Sequence, residues 1–324
     1  MKPVVLPANQ PHDRFYAGGR RIADFRGTGT AASHEPEDWV ASSTSVFGQA
    51  PVGLTVLPDG RLLRDAIEAD PVAWLGPEHV AAYGSDPALL VKLLDAGQRL
   101  PVHAHPDVPF AAEHLGLGHG KTEAWVVLEA ARVHLGFARD VSVEELAGWV
   151  TTQDTGAMLG AMHVLDLDTG DAVLVPAGLP HAIGEGAFVV ELQEPTDLSI
   201  LLEWSGFAID GATDGHLGLG FDVALAAVDR RGWSAGEIAR LRGATAGSSG
   251  DLLPDGDRFF RVERWTGSRV LDAGLAVLVV VAGSGMLGTS PVTRGQTVLL
   301  PAAAGPVRLE GDDLQVVVCR PPRP

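Results

Sequence analysis

Cysteine is almost missing from this chain: Cys319 is the single one. An intramolecular disulfide is thereby excluded, and the composition fits a reducing compartment, the cytoplasm. Lysine is scarce as well, present only as Lys2, Lys92 and Lys121, and the net charge is −17. Nucleic acids and anionic membranes both select a basic footprint, so neither is expected as a partner. A phosphorylated ligand would need a local cationic pocket to overcome the same field. Long apolar runs are absent too. The longest, around Leu275 to Ala282, is far too short to cross a bilayer. The stretch MKPVVLPANQ has no apolar core of the kind a signal peptide carries. Finally, although the chain has 11 histidines, none lies in residues 217 to 324.

What is present is a substantial apolar fraction, 46% of residues against 20% charged, enough to bury a core in about two domains. Short alternating runs bounded by Gly, Asp and Pro dominate, which predicts a mostly β chain of barrels or jelly rolls. DRFYAGGRRIADF and EPEDWVASSTSVFG read as short strands with turns at Gly18-Gly19 and Gly27. Residues 52 to 65 read as a strand and an Asp-Gly turn. Leu63, Ile67, Trp74 and Val80 are spaced for one or two helices broken near Pro71 and Pro77. TEAWVVLEA and RVHLGFA alternate like a hairpin pair, and LSILLEW reads as a further strand. Ser142 with Glu145 is a capping-box pattern opening a helix. A helical insert follows around Phe221 to Arg230, and residues 243 to 257, GATAGSSGDLLPDGD, have linker composition.

The chemistry gathers in residues 97 to 181. Gly97, His103 and His105 form G-x5-H-x-H, and in a β run the two imidazoles share one face. Gly170, Pro176, Gly178 and His181 form G-x5-P-x-G-x2-H. With Glu123, these histidines are a ligand set for a divalent metal. The tail repeats the grammar without the ligands: Gly295-Gln-Thr-Val-Leu-Leu-Pro301 echoes Gly170-Asp-Ala-Val-Leu-Val-Pro176. Two cupin-like barrels, or jelly rolls, follow, with a small helical insert and a degenerate second barrel. The expected division is a metal-binding domain over 1–204, a helical insert and linker over 205–250, and a C-terminal barrel over 251–324.

The two spacings are the two cupin motifs. Together with LLVKLLDAGQRLPVHAHPD, GKTEAWVVLEA and VPAGLPHAIGEGAFVVELQEPTDLSILLEW, the chain resembles the class I mannose-6-phosphate isomerases. The resemblance runs from about residue 12 to the end and is strongest between 88 and 204. It implies a metal-dependent interconversion of mannose 6-phosphate and fructose 6-phosphate. Zinc is the metal it implies, held by His103, His105, Glu123 and His181. His103 stands where the family has Gln, which makes three imidazoles and a carboxylate, a set that also suits Fe, Mn, Ni or Cu. Leu201 stands where the family has an arginine against the substrate, so another residue must supply that charge or the substrate has changed. An apolar Leu201 lining the pocket, on a chain this acidic, favours a neutral or modified sugar over mannose 6-phosphate.

Isomerisation requires a Lewis acid, a group that moves a proton between adjacent carbons, and groups that hold the far end of the sugar. Glu191 or Glu203 is the candidate for the proton. Lys121, Trp125, Gln193 and Leu201 are the candidates for the substrate, a sugar or sugar phosphate. Two other readings compete: a metal-dependent cupin of another class, a dioxygenase or epimerase, and a non-catalytic sugar-binding descendant.

Overall fold

The computed structural model describes residues 1–244 and 247–324. Residues 245 and 246 of the linker stretch lie outside the described residues. The first eleven strands are β1 (Val4–Leu6), β2 (Glu37–Val40), β3 (Leu90–Asp95), β4 (His103–Ala104), β5 (Glu123–Glu129), β6 (Ala131–Phe137), β7 (Met162–Leu167), β8 (Ala172–Val175), β9 (His181–Ile183), β10 (Phe188–Gln193) and β11 (Ile200–Leu201). After the helical insert come β12 (Gly250–Asp251), β13 (Arg261–Thr266), β14 (Arg269–Leu271), β15 (Ala276–Ala282), β16 (Ser284–Leu287), β17 (Ser290–Thr293), β18 (Thr297–Leu300), β19 (Val307–Glu310) and β20 (Gln315–Arg320).

They pair into two antiparallel sandwiches of one topology. In the first, the sheet β2-β3-β10-β5-β8 faces the sheet β11-β4-β9-β6-β7. In the second, β13-β20-β15-β18 sits inside a six-stranded sheet and faces β14-β19-β16-β17. The order β3-β10-β5-β8 is thus repeated strand for strand as β13-β20-β15-β18, and β4-β9-β6-β7 as β14-β19-β16-β17. The echo of GDAVLVP in GQTVLLP is the equivalence of β8 and β18. At the edge of the second sandwich β1 pairs with β18, Val4 opposite Leu299, so the N-terminal strand completes the C-terminal sheet.

Strands buried on both sides explain the unbroken apolar runs. β3 and β10 are buried along their whole length. One face of each lines the interior of its own sandwich, with Leu94, Trp125, Val133, Val175 and Ile183 in the first core. The other face packs on the second sandwich, where Leu93, Val126 and Val190 share a cluster with Val277, Val317 and Cys319. Cys319 is fully buried in that seam and its thiol is pushed up by burial, which keeps it unreactive.

Several local readings need correction. Residues 13 to 26 form no strand. Arg21–Arg26 is a helix, because Ile22, Ala23 and Phe25 fall on one buried face and Gly27, at φ 68°, closes it by donating its N–H to Ala23. β5 and β6 are not a hairpin: β5 pairs with β10 and β8, and β6 with β7 and β9, so the chain turns from one sheet to the other between them. Residues 52 to 62 contribute only a bridge between Val56 and Leu62, and Leu63 to Asp65 already belong to a helix. LSILLEW is a strand only at Ile200–Leu201. Three short helices, Leu63–Ala69, Pro71–Leu75 and Pro77–Tyr83, are indeed separated by Pro71 and Pro77, each at a helix start. Ser142 caps Val143–Thr152 through the Glu145 N–H, but the Glu145 carboxylate turns to Arg139 instead of closing the box. Among the described residues no helix is long and apolar enough to cross a membrane.

Candidate metal centre

β4 and β9 bring the histidines together. His103 of β4 is in register with His181 of β9, and His105 follows two residues on. One ring nitrogen from each of His103, His105 and His181 lies within 4.8 Å of the others, and all three side chains are buried. Their Nδ1 atoms are 2.7 to 2.8 Å from the carbonyls of Pro101, Leu198 and Leu179. Each Nδ1 therefore carries the proton and each Nε2 keeps its lone pair, the tautomer that ligates metals.

Glu123 enters from the facing sheet as the first residue of β5. Its Oε2 is 3.0 Å from His105 Nε2 and its Oε1 is 3.3 Å from His181 Nε2. Trp125, two residues along the same face, donates Nε1–H to Glu123 Oε1 at 3.0 Å. His181 Nε2 is buried without a hydrogen-bond donor, and Glu123 Oε2 has only the Lys121 ammonium as a donor beside it. Lone pairs converging in a buried space call for a cation between them, so the donor set fits a metal ion.

Charge at the centre follows from burial and neighbours. Burial, then the charges of the other two histidines, hold His103 well below the usual imidazole range. Burial, then Lys121, bring His105 to about 3. Burial alone would raise Glu123, but Lys121 and His105 outweigh it and hold it well below the usual carboxylate range. Lys121 Nζ lies 2.9 Å from Glu123 Oε2, 3.0 Å from His105 Nε2 and 3.5 Å from Glu191 Oε1. Burial, and beyond it the Glu123 charge, push Glu191 up to about 7 against the pull of Lys92.

A cavity of about 40 Å³ opens beside the centre, lined among others by His103, Lys121, Glu123, Glu191 and Asp197. Sequence reasoning missed most of its remaining wall. Arg14, Tyr16, Glu37 and Lys92 also line it. Arg14 Nε is 3.2 Å from Glu37, and Arg14 Nη2 is 3.4 Å from Asp197. Lys92 Nζ is 3.7 Å from each of those carboxylates and 4.6 Å from the ring centre of Trp39. Tyr16 donates to Glu37 at 2.6 Å. The one available signal was a lysine inside the apolar run LLVKLL, since a charge there must be paired.

Four expected site residues lie outside the cavity lining. Glu203 is bound by Arg99 at 2.5 and 2.7 Å, by the Val102 N–H and by Thr155, and it does not line the cavity. Gln193 is fully buried and donates to the carbonyls of Glu194 and Thr196. Trp125 is fully buried behind Glu123, so its ring is closed to a sugar. Leu201 is in register with His103 and buried, but it is not among the residues lining the cavity. The cations at that wall are Arg14 and Lys92.

No protein-family model matches the chain. Over 203 residues it is 32% identical to the mannose-6-phosphate isomerase of Streptococcus mutans, a match spanning 60% of this chain and 58% of that relative. A second curated relative, the mannose-6-phosphate isomerase ManA of Bacillus subtilis, is 32% identical over 35% of this chain and 36% of its own length. The crystal structure of a Bacillus subtilis mannose 6-phosphate isomerase superposes with a TM-score of 0.75 at 22% identity, covering 99% of this chain and all of the other. A variant of the Salmonella typhimurium phosphomannose isomerase superposes with a TM-score of 0.74 at 17% identity, again over 99% of this chain. Over part of its sequence, and in fold over nearly its whole length, the chain is similar to the mannose-6-phosphate isomerases.

Proposed function

We propose that this chain is a metal-dependent aldose–ketose isomerase acting on mannose 6-phosphate or a closely related sugar. The observation that carries the reading is the convergence of three buried imidazoles with Glu123, Lys121 and Glu191 beside one buried cavity. His103, His105, Glu123 and His181 would hold the ion, zinc in the first instance, which when bound supplies a Lewis acid to oxygens on adjacent carbons. Lys121, held positive by Glu123 and Glu191, donates hydrogen bonds to a sugar oxygen at the same edge of the cavity. Glu191 Oε1 is the atom to accept a proton from one carbon and return it to the next, because a carboxylate near neutral pKa exchanges protons in both directions. Glu203, already committed to Arg99, has no part in that transfer.

Each cation lining the cavity is engaged by a carboxylate: Arg14 and Lys92 by Glu37 and Asp197, Lys121 by Glu123 and Glu191. No lining cation is left over for a phosphate, which supports the preference for a neutral sugar. At about 40 Å³ the space holds about one water, so the reacting carbons enter only as lining side chains shift. The test is turnover of mannose 6-phosphate beside free mannose by the metal-replete protein. Isomerisation that ceases with a chelator, returns with a divalent ion and falls about 10²-fold or more in Glu191→Gln supports the reading. Absence of isomerisation with both sugars would overturn it.

A further inference from the structure

The second sandwich has lost the histidines but not the opening they would occupy. β13 and β20 are in the register of β3 and β10, so Arg261 opposite Arg320 takes the place of Leu90 opposite Gln193. In the first sandwich Gln193 stands directly opposite Glu123, at the edge of the metal centre. Arg320 therefore occupies the corresponding position in the second sandwich. Arg269 comes from β14, the counterpart of the strand bearing His103. All three line a cleft of about 620 Å³, together with Arg323, Glu263 and Asp272.

Two arginines directly opposite on neighbouring strands repel one another, and among the described residues neither makes an ion pair, although Glu263 offsets part of the repulsion. Among the described residues no carboxylate comes within 4 Å of Arg261, Arg269 or Arg320. Arg261 spends only its Nε–H, on the Pro321 carbonyl at 3.0 Å. Arg320 donates from Nη2 to the Asp272 carbonyl at 3.0 Å and is 5% exposed. A guanidinium has five N–H donors, so each of these two keeps four for a ligand. Arg269 lies over Trp265, its guanidinium carbon 3.0 Å from the ring centre. Arg323 reaches Asp257 only at 3.8 Å. Glu263 is occupied by Trp265 Nε1–H at 2.7 Å.

We infer that the open end of the second sandwich is a binding site for a small molecule bearing two or more oxyanion groups, separate from the metal centre. Paired guanidinium forks, Arg261 half-buried and Arg320 buried, match phosphate and carboxylate oxygens bidentately, and the cleft has the volume of a small-ligand pocket. Burial lowers the pKa of both guanidiniums, with Arg323 adding to it at Arg261 and Arg261 adding to it at Arg320, while Glu263 pulls the other way on each. On a chain of net charge −17 such a cluster discriminates strongly in favour of anions at one point of the surface.

The experiment is calorimetric titration of the metal-replete protein at low salt with inorganic phosphate, pyrophosphate and citrate. Saturable binding of about one equivalent is expected, tighter for pyrophosphate or citrate than for phosphate, with the tighter of the two identifying the oxyanion. Arg261→Gln and Arg320→Gln should each weaken it about tenfold or more, whereas Lys121→Gln, at the metal centre, should leave it unchanged. Arg261 is the more exposed of the two, so its variant keeps the test valid if Arg320→Gln folds poorly. A rise in Tm with pyrophosphate that disappears in Arg261→Gln gives the same answer without calorimetry. Lack of saturable binding by any of the three anions, or binding that both arginine variants leave intact, would overturn the site.

Discussion

Arg14 Nε lies 3.2 Å from Glu37 Oε2 in the wall of the cavity onto which His103 opens. Burial would raise Glu37, but Arg14 and then Lys92 bring it down to about 2. A depressed carboxylate stabilises the fold above its unfolded value, about 4.3, and loses that contribution as pH falls through about 2. Removing the guanidinium leaves Glu37 and Asp197 buried with Lys92 alone. Arg14→Met is expected to cost about 3–5 kcal/mol of stability and to move acid unfolding to higher pH. Urea unfolding of the two proteins across the acid range measures both; equal curves would show that the pair contributes nothing.

Metal should be measurable without any assay of turnover. Elemental analysis of protein purified without added metal is expected to find close to one divalent ion per chain. His105→Ala should bind it at least tenfold more weakly, and removal by a chelator should lower Tm, since an ion bound only by the folded state stabilises it. Undiminished metal content in His105→Ala would remove His105 from the ligand set.

Glu203 and Glu191 separate by what their loss affects. Glu203→Ala strips Arg99 and the Val102 N–H of their partner, and a loss on the order of 3 kcal/mol is expected, the low end for a buried pair because Arg99 is partly solvated. Its kcat should change little once the protein is folded. A large fall in kcat for Glu203→Gln at unchanged Tm would return Glu203 to the chemistry.

His119 supplies a dependence of opposite sign. Its Nε2 is 2.6 Å from Asp86 Oδ2 and its Nδ1 is 3.9 Å from Glu194. The bond to Asp86, then Glu194, raise the imidazole to about 9. The stabilisation is therefore complete below the unfolded value of about 6.5 and is lost as pH rises through about 9. Glu194 also accepts the Thr122 N–H at 2.7 Å, so this cluster secures the loop that carries Lys121. His119→Asn should match the wild type in stability near pH 10 and fall below it near pH 6. A constant difference between the two proteins at both pH values would refute the linkage.

How far this could be read beforehand depended on the range of each interaction. His103, His105 and His181 were legible because their spacings are set by local strand geometry, and the repeat was legible because the phrases around β8 and β18 share their Gly, Val, Leu and Pro at the same spacing. The cluster of Arg14, Glu37, Lys92 and Asp197 was not, since it joins four distant segments and none of them carries a motif. The surroundings of Gln193 were hidden for a related reason. Alternation places it on the face of Glu191, yet only the loop around Thr196 shows that its Nε2 donates to the Glu194 and Thr196 carbonyls. The apparent hairpin of β5 and β6 failed because alternation identifies a strand without identifying its neighbour.

The pairing of Val4 with Leu299 has a consequence for biosynthesis. On the ribosome β1 emerges well before its partner β18, which is translated about 290 residues later. For all that time the nascent chain carries an apolar strand with both edges open, the kind of segment that associates with other chains. Closure of that rung joins residues far apart in the sequence, so it belongs among the late and slow events of folding.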